Sequence, residues 1–260
     1  MKIGIFDSGI GGLSVLHYAY KMMPGADFIY YADEKHVPYG EKTPDEIRGF
    51  IREILDFMIG RKTDAIVIAC NTATSAVTRE YRDSFHVPII GMEPAVKKAV
   101  DLYGEEDKRI LVAATPITIK GEKLHNLVER VDVHNKVDLI QLPKLVRFAE
   151  KGIFDSPEVD EYLRDALKSY RLSEYGTIVL GCTHFNYFKS DFKRIFGRSI
   201  RFADGNEGTV NQVKRLTKWE SGSATGGETE YFFSGEPVDA ENSALIEKCM
   251  KRLDVVFDIN

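Results

Sequence analysis

The sequence predicts an α/β protein in which parallel sheets are covered by helices on both faces. Short β-branched runs alternate with helical patterns along nearly the whole chain, and this order is typical of parallel strands joined by crossover helices. The chain has 260 residues, which is long for one core because domains average about 150 residues. The runs 65–73 and 177–184 also share one pattern, in which an apolar strand is followed by a small residue, a cysteine and a threonine. We therefore expect two cores built from two similar units.

The chain begins with a strand and a glycine-rich turn. Residues 2–6 predict the strand, and the glycines within 7–12 allow a tight turn that starts a helix at Leu13. A second strand is expected at 27–31, and a loop follows it as far as Gly40.

The next helix has a strong start signal. Thr43 is suited to cap it, Pro44 to occupy its first position, and Glu46 follows three residues after the cap. Apolar residues then recur at helical spacing, which predicts a helix to about Gly60.

The later elements continue the alternation. The expected strands are 65–69, 87–91, 110–113, 137–140, 177–181, 199–203 and 231–233, and the expected helices include 73–85, one from Pro116, one from Pro143 to about Gly152, one from Pro157, one after His184, and 239–252. Residues 92–94 predict a hinge, and the glycine- and serine-rich run 221–227 predicts a surface loop.

Composition and charge narrow the class of protein. The chain is 43% hydrophobic and 29% charged, which is ordinary for a globular enzyme. Its net charge is −5 and it contains no basic run, so neither a nucleic-acid partner nor a membrane partner is expected. No apolar run approaches the length of a membrane span, and Asp7 interrupts the N-terminus too early for a signal peptide. A cytoplasmic protein with reduced thiols is therefore expected, because its three widely spaced cysteines suit neither a disulfide framework nor a zinc ribbon.

The candidate chemistry lies at the carboxyl ends of the predicted strands, where parallel sheets bind ligands. Cys70 and Cys182 are both expected there, and a following helix N-terminus would lower the pKa of a thiol. One thiolate could then remove a proton from a carbon next to a carboxylate while the opposite thiol donates one. Asp7 is suited to hold an ammonium group or to tune a thiol, and His184 to assist Cys182. Neutral groups could bind carboxylate oxygens without a lysine or arginine: Ser8, Asn71, Thr72 and Thr183.

Simpler interpretations stay open for each signal. A single cysteine after a strand is most often a small buried apolar residue, and Glu150 is as easily a solvated charge at a helix end. The turn 7–12 could hold a phosphate in a non-enzymatic binding module, although it lacks the Gly-Lys-Ser/Thr ending of a P-loop. Pyridoxal phosphate is disfavoured because no phosphate cup accompanies a lysine. The remaining five histidines lack metal-ligand spacing, so neither a cofactor nor a metal is expected.

With these residues in view, the chain resembles the glutamate racemases over nearly its full length. The shared motifs are 7–13, Val37-Pro38-Tyr39-Gly40, Ala69-Cys70-Asn71-Thr72-Ala73, Thr115-Pro116-Ile117-Thr118, Gly181-Cys182-Thr183-His184 and 233–237. Aspartate racemases usually lack the Asp-Ser-Gly-x-Gly-Gly start, which favours glutamate, while aspartate or another small amino acid stays an alternative substrate. The sequence departs from the family in having Phe185-Asn186 where Tyr-Pro is usual, which puts the shape of that turn in doubt.

The resemblance implies two flavodoxin-like, doubly wound domains related by a pseudo-two-fold axis. Residues 1–94 with 207–260 would form the first domain, which carries Cys70, and residues 95–206 the second, which carries Cys182. It also implies a cofactor-independent isomerase that interconverts L- and D-glutamate for peptidoglycan synthesis, commonly as a homodimer. Cys70 and Cys182 would be its acid/base pair, with Asp7, His184 and Glu150 as auxiliary proton-transfer residues. The substrate-contacting motifs would supply Ser8, Pro38, Tyr39, Gly40, Asn71, Thr72, Thr115, Thr118 and Thr183.

Overall fold

A computed structural model describes residues 1–220 and 227–259. Two sheets form its framework, and every strand pair in them is parallel except one short antiparallel pair near the C-terminus. The predicted fold class is therefore confirmed. The surface loop expected at 221–227 lies outside the described residues, except for Gly227.

The first sheet combines the two ends of the chain. Its six strands are, in spatial order, β10 (Glu236–Pro237), β9 (Thr229–Phe233), β2 (Asp27–Ala32), β1 (Lys2–Asp7), β3 (Ala65–Ile68) and β4 (Ile89–Gly91). Because β9 pairs in parallel with β2, the C-terminal segment returns to the first half, as the family resemblance implies.

The second sheet uses the middle of the chain. Its four strands are, in spatial order, β6 (Val137–Gln141), β5 (Arg109–Ala114), β7 (Tyr175–Leu180) and β8 (Arg201–Ala203). The domain boundaries at 94/95 and 206/207 stay a prediction.

Helices cover these sheets on both sides. In chain order they are α1 (Leu13–Met22), α2 (Pro44–Gly60), α3 (Asn71–Ala76), α4 (Arg79–Asp83), α5 (Val96–Tyr103), α6 (Pro116–Lys120), α7 (Glu122–Val131), α8 (Pro143–Glu150), α9 (Pro157–Ala166), α10 (Lys189–Phe196), α11 (Asn206–Leu216) and α12 (Ala240–Val256). None of these described helices is both long and apolar enough to cross a bilayer.

The start of α2 follows the predicted capping pattern. The Thr43 side chain accepts a hydrogen bond from the Glu46 amide, and the Glu46 carboxylate accepts one from the Thr43 amide at 2.8 Å. Both exchanges satisfy backbone donors that the first helical turn leaves open.

The expected single helix at 73–85 is wrong. The chain forms α3 and α4 instead, because Val77 adopts an extended conformation (φ −121°, ψ 141°) and ends the first helix. Thr78 then caps the second by accepting a hydrogen bond from the Tyr81 amide at 3.2 Å. Two β-branched residues, Val77 and Thr78, thus divide a segment whose apolar pattern alone indicated continuity.

The largest apolar core runs through both halves of the molecule. It joins residues under the first sheet, such as Ile5, to residues of the second, such as Ile178 and Leu180. α12 packs against α1 and against the segment that follows Cys182, and Cys249 on α12 is fully buried in this core. The carboxyl ends of strands from the two sheets are thereby held close together.

Candidate active site

The two repeated cysteines lie on one cavity. Cys70 follows β3, Cys182 follows β7, and both line an enclosed space of about 360 Å³. His184 lines it as well, together with seven residues from the substrate-contacting motifs: Ser8, Pro38, Tyr39, Gly40, Asn71, Thr72 and Thr115. The cavity is therefore built from strand ends of both sheets, as the doubly wound architecture predicts.

The Cys70 thiol is held by groups at the ends of β1 and β3. Its Sγ lies 3.7 Å from Ser8 Oγ, to which it donates, and it accepts a hydrogen bond from the Ala73 amide at 3.4 Å. Ser8 Oγ in turn donates to Asp7 Oδ1 at 3.1 Å. Burial, followed by the nearby Asp7 carboxylate, raises the pKa of the Cys70 thiol.

The expected lowering of the Cys70 pKa is therefore wrong. The thiol does cap α3, but the Ala73 amide and the Ser8 hydroxyl favour the thiolate less than burial and the Asp7 charge oppose it. The surroundings of Cys70 therefore favour the protonated thiol.

The Cys182 thiol faces a histidine instead. Its Sγ lies 3.7 Å from His184 Nδ1, and His184 Nε2 forms a short hydrogen bond with the Glu150 carboxylate. Burial alone would lower the pKa of His184, but the Glu150 charge and the contact with Cys182 raise it well above its usual value. Glu150 thus holds a histidine of raised pKa beside the Cys182 sulfur.

Glu150 is part of this site and is not a solvated charge at a helix end. Its side chain is only 14% exposed at the end of α8. Besides His184, its carboxylate accepts a hydrogen bond from the Ile10 amide at 3.1 Å. The turn 7–12 thus uses a backbone amide to bind the carboxylate of Glu150. In the alternative interpretation, the same turn would bind a phosphate.

Glycines in that turn make room for the same groups. A Cβ on Gly9 would lie 1.9 Å from Glu150 Oε1, and one on Gly11 would lie 2.4 Å from His184 Nδ1. A side chain at either position would push Glu150 or His184 away from Cys182. Glycine is needed at both positions because these two side chains pack directly against the backbone of the turn.

Asp7 and Thr183 are neighbours of lining residues but are not among the residues that line the cavity. Asp7 is fully buried, and its Oδ2 accepts a hydrogen bond from Thr183 Oγ1 at 2.8 Å. Burial raises the pKa of the Asp7 carboxyl, while the charge of His184 acts against the shift. This contact ties the end of β1 to the segment that follows Cys182.

Threonines form a chain on another side of the cavity. Thr72 Oγ1 lies 3.1 Å from Thr115 Oγ1, which lies 3.1 Å from Thr118 Oγ1. Thr118 is outside the cavity lining and reaches it through Thr115. Both polar atoms of the buried Asn71 amide have no hydrogen-bond partner among the described residues, which leaves them available to a ligand.

The turn after Cys182 keeps a defined shape despite its unusual sequence. Thr183–Phe188 forms a 3₁₀ helix, in which the Phe185 amide donates to the Cys182 carbonyl at 3.0 Å. Asn186 Nδ2 donates to the Thr183 carbonyl, also at 3.0 Å. A side-chain hydrogen bond thus closes the turn where related sequences usually have proline.

Sequence reasoning missed several residues near the thiols. Glu41, Pro116, Pro143, Lys144, Val146 and Arg147 line the cavity. The signal for Arg147 was its position three residues before Glu150, which puts both on one face of α8. Glu34 was missed as well: burial and the charge of Glu150 raise its pKa to about 8. Across the parts of the chain that the structure describes, no cluster of side chains is suited to hold a metal ion.

Comparisons with known proteins agree on one family. The family model for Asp/Glu/hydantoin racemases matches residues 14–213. Among curated proteins, a glutamate racemase of Campylobacter curvus is 49% identical over 265 residues, with 100% of both chains covered. Among solved structures, glutamate racemase of Campylobacter jejuni superposes with a TM-score of 0.80 at 28% identity, covering 96% of this chain and 97% of that one. Escherichia coli glutamate racemase, in complex with L-glutamate and the activator UDP-MurNAc-Ala, gives 0.83 at 25% identity, covering 97% and 94%.

Proposed function

The chain belongs to the Asp/Glu/hydantoin racemase family, and from this membership we infer that it is a glutamate racemase, an isomerase that interconverts L- and D-glutamate. The observation that carries the mechanism is the presence of two buried thiols, from matching strand ends, on one cavity. Proton exchange at a single carbon with inversion needs one group on each face of that carbon, and the cysteine pair supplies both without a cofactor.

In the proposed mechanism, one sulfur removes the α-proton as a thiolate while the other donates its proton to the opposite face. Each thiol has its own partners for this exchange. Ser8 and Asp7 stand behind Cys70, and His184, held by Glu150, stands beside Cys182. Burial and the Asp7 charge raise the pKa of Cys70, which favours its role as the proton donor, while the raised pKa of His184 favours a positive charge beside Cys182.

The substrate's α-carboxylate would be bound by neutral groups. Asn71 has unpaired amide atoms, and the hydroxyls of Ser8, Thr72 and Thr115 line the cavity. Hydrogen-bond donors that are already fixed in a buried site stabilise developing negative charge at little reorganisation cost. Negative charge delocalises onto this carboxylate when the α-proton leaves, so these groups would favour the carbanionic state.

The experiment is racemisation of L-glutamate in D₂O by the purified protein with no added cofactor. Circular dichroism follows the loss of optical activity, and mass spectrometry of the separated enantiomers locates deuterium. The two-thiol mechanism expects deuterium at Cα of the newly formed D-glutamate while the early unreacted L-glutamate keeps protium. Deuterium absent from the product, or present equally in both enantiomers from the start, would contradict it.

Some finer points belong to the same proposal. A panel of enantiopure amino acids separates glutamate from aspartate as the preferred substrate, with faster turnover of glutamate expected. Supply of D-glutamate to peptidoglycan, a cytoplasmic location and a homodimeric state rest on the family resemblance, and gel filtration with light scattering tests the last.

A further inference from the structure

Glu34 is a carboxylic acid near the thiols that the proton-transfer scheme does not use. It lies in the loop between β2 and the 3₁₀ turn Tyr39–Glu41, and it does not line the cavity. The residue is half-buried, and its Oε1 is buried with no hydrogen-bond partner among the described residues. Burial of an ionised carboxylate without a partner costs far more free energy than burial of the neutral acid. The position therefore favours the protonated form.

The backbone fixes this loop beside the glycine-rich turn at the start of the chain. The Asp33 amide, directly before Glu34, donates to the Asp7 carbonyl at 3.0 Å. The same turn directs its Ile10 amide to the Glu150 carboxylate at 3.1 Å. One short turn thus contacts both segments, so the fold holds Glu34 close to Glu150 without any hydrogen bond from Glu34 Oε1.

Ionisable groups from several elements interact with Glu34. Those that act on its pKa come from α8, from the segment after Cys182, from β1 and from its own loop: Glu150, His184, Asp7 and Asp33. Glu34 acts in turn on two groups of β2 and α12, and a cation on α12 acts on the second of them: Tyr30, Cys249 and Lys248. Burial first, and the Glu150 charge second, raise the pKa of Glu34 to about 8. Glu34 should therefore lose its proton just above neutral pH.

A second negative charge behind His184 would oppose the proposed reaction. Glutamate is an anion, and removal of its α-proton creates further negative charge in the cavity. The Glu150 carboxylate is already required there, because it holds His184 beside Cys182. A further carboxylate would repel both the substrate and the carbanionic state, whereas a neutral acid of the same size would not.

We propose that Glu34 is a positioning residue for the Cys182 side, which in its protonated form keeps a second negative charge away from the Glu150–His184 pair and on ionisation slows racemisation. The proton that it loses passes to solvent, which the exposed part of the residue reaches. Glu34 acts through Glu150 and His184 and does not touch the reacting carbon. The inference rests on the proposed glutamate racemase function and adds a group that sets how the activity depends on pH.

The first test compares Glu34→Gln with the wild type across pH. Glutamine has nearly the shape of the neutral acid and does not ionise, so all other titrating groups, including those of the substrate, cancel in the ratio of the two kcat/KM values. The ratio of wild type to variant should fall about fivefold between about pH 7 and about pH 9.5 and then stay constant. A ratio that does not change with pH would overturn the inference. A ratio that continues to fall by about tenfold per pH unit would overturn it as well, because Glu34 would then exchange a reacting proton itself.

Glu53→Gln is the matched control. Glu53 lies on the exposed face of α2, so this variant loses a carboxylate of the same kind away from the Glu150–His184 pair. Its kcat/KM relative to the wild type should not change over the same pH range. A change equal to that of Glu34→Gln would show an effect of net charge alone and would contradict a specific role for Glu34.

Carboxyl NMR signals of protein labelled with ¹³C-glutamate give a readout that does not depend on turnover. The wild type should show one signal with a pKa of about 8, and that signal should be missing from Glu34→Gln. In Glu150→Gln the same signal should titrate at lower pH, because Glu150 is the charge that most strongly opposes ionisation of Glu34. A Glu34 signal that titrates at its ordinary value, or that Glu150→Gln leaves in place, would refute the inference.

The two proposals can fail separately. A wild-type protein that does not racemise glutamate would overturn the proposed function, whatever the NMR signal of Glu34 shows. A racemase whose dependence on pH is the same in Glu34→Gln as in the wild type would overturn this inference alone.

Discussion

The substitution Glu150→Gln tests the electrostatics of the Cys182 side. The Glu150 carboxylate is the main group that raises the pKa of His184 against the effect of burial. A glutamine of nearly the same shape can still accept a hydrogen bond from the Ile10 amide, which the carboxylate accepts at 3.1 Å. The change therefore removes the charge and keeps the packing, and burial should then lower the pKa of His184 below its usual value.

The expected loss of activity follows from the protonation state of His184. Positioned acid–base groups typically contribute about 10²–10⁴-fold to rate, and because the hydrogen bond to Ile10 survives, we expect kcat/KM to fall by about 10²-fold. The fall must be the same for L- and D-glutamate, because the equilibrium constant between enantiomers is unity and detailed balance then equates the two values. Activity that remains should increase toward acidic pH, where His184 in the variant regains its proton.

Stability should change in a pH-dependent way as well. A raised histidine pKa contributes stability that is complete below the unfolded value, near 6.5, and is lost as the pH rises through the folded value. Glu150→Gln should therefore lower the free energy of unfolding by about 3 kcal/mol in mildly acidic solution, as for a broken buried pair, and by less in alkaline solution.

The assays are the kinetics of both directions across pH and urea unfolding at acidic and alkaline pH. Histidine NMR signals of the variant report the pKa of His184 directly. Glu129→Gln, on the exposed face of α7, is the control for loss of one carboxylate. A Glu150→Gln enzyme with wild-type kcat/KM at every pH, or with a His184 signal that titrates as in the wild type, would refute the reasoning.

Three further outcomes are expected. Cys70→Ser or Cys182→Ser should lower kcat/KM by at least about 10³-fold in both directions, because a hydroxyl is far less ionised than a thiol at neutral pH. Circular dichroism of glutamate measures the rate, and full activity of either variant would contradict the two-thiol mechanism. Gly9→Ala should abolish activity, since its Cβ would lie 1.9 Å from the Glu150 carboxylate, whereas Gly49→Ala, with nothing within 4 Å, should stay active and gain about 1 kcal/mol from helix propensity; urea unfolding and kinetics separate the two. Asp7→Asn should raise Tm at neutral pH and not at acidic pH, because the raised pKa of Asp7 means that its charge opposes folding as the pH rises; a lower Tm at neutral pH would show that its hydrogen bonds outweigh its burial.

The sequence predicted the strands and the meeting of the thiols well, since both depend on local patterns. A β-branched run that ends in a small residue and a cysteine indicates the carboxyl end of a strand, and parallel topology brings such ends together. That logic predicts Cys70 and Cys182 on one cavity, and both line it. It also identified Ser8, which directly follows the last residue of β1, and His184, which lies two residues after Cys182.

The sequence could not predict features that depend on distant residues and on burial. The pKa of Cys70 is raised by burial and then by the charge of Asp7, and neither is visible in the pattern that follows β3. Arg147 and Glu41 meet across a separation of 106 positions, so no local signal relates them. The break at Val77 was missed because apolar periodicity continues through it.

The two sulfurs lie at matching strand ends, but different groups surround them. Because the reaction interconverts two enantiomers, the effect of this difference on the kinetics is limited. Cys70 is backed by a hydroxyl and a carboxylate, and Cys182 by a histidine of raised pKa that Glu150 holds. Because L- and D-glutamate have equal free energy, kcat/KM must be equal in the two directions whatever surrounds each thiol. The asymmetry therefore cannot make kcat/KM differ between the enantiomers, and it shows only in how kcat and KM differ between them. It follows that a charge change on one side, such as Glu150→Gln, can lower the shared kcat/KM and is diagnosed by unequal shifts of kcat for the two enantiomers, with matching unequal shifts of KM.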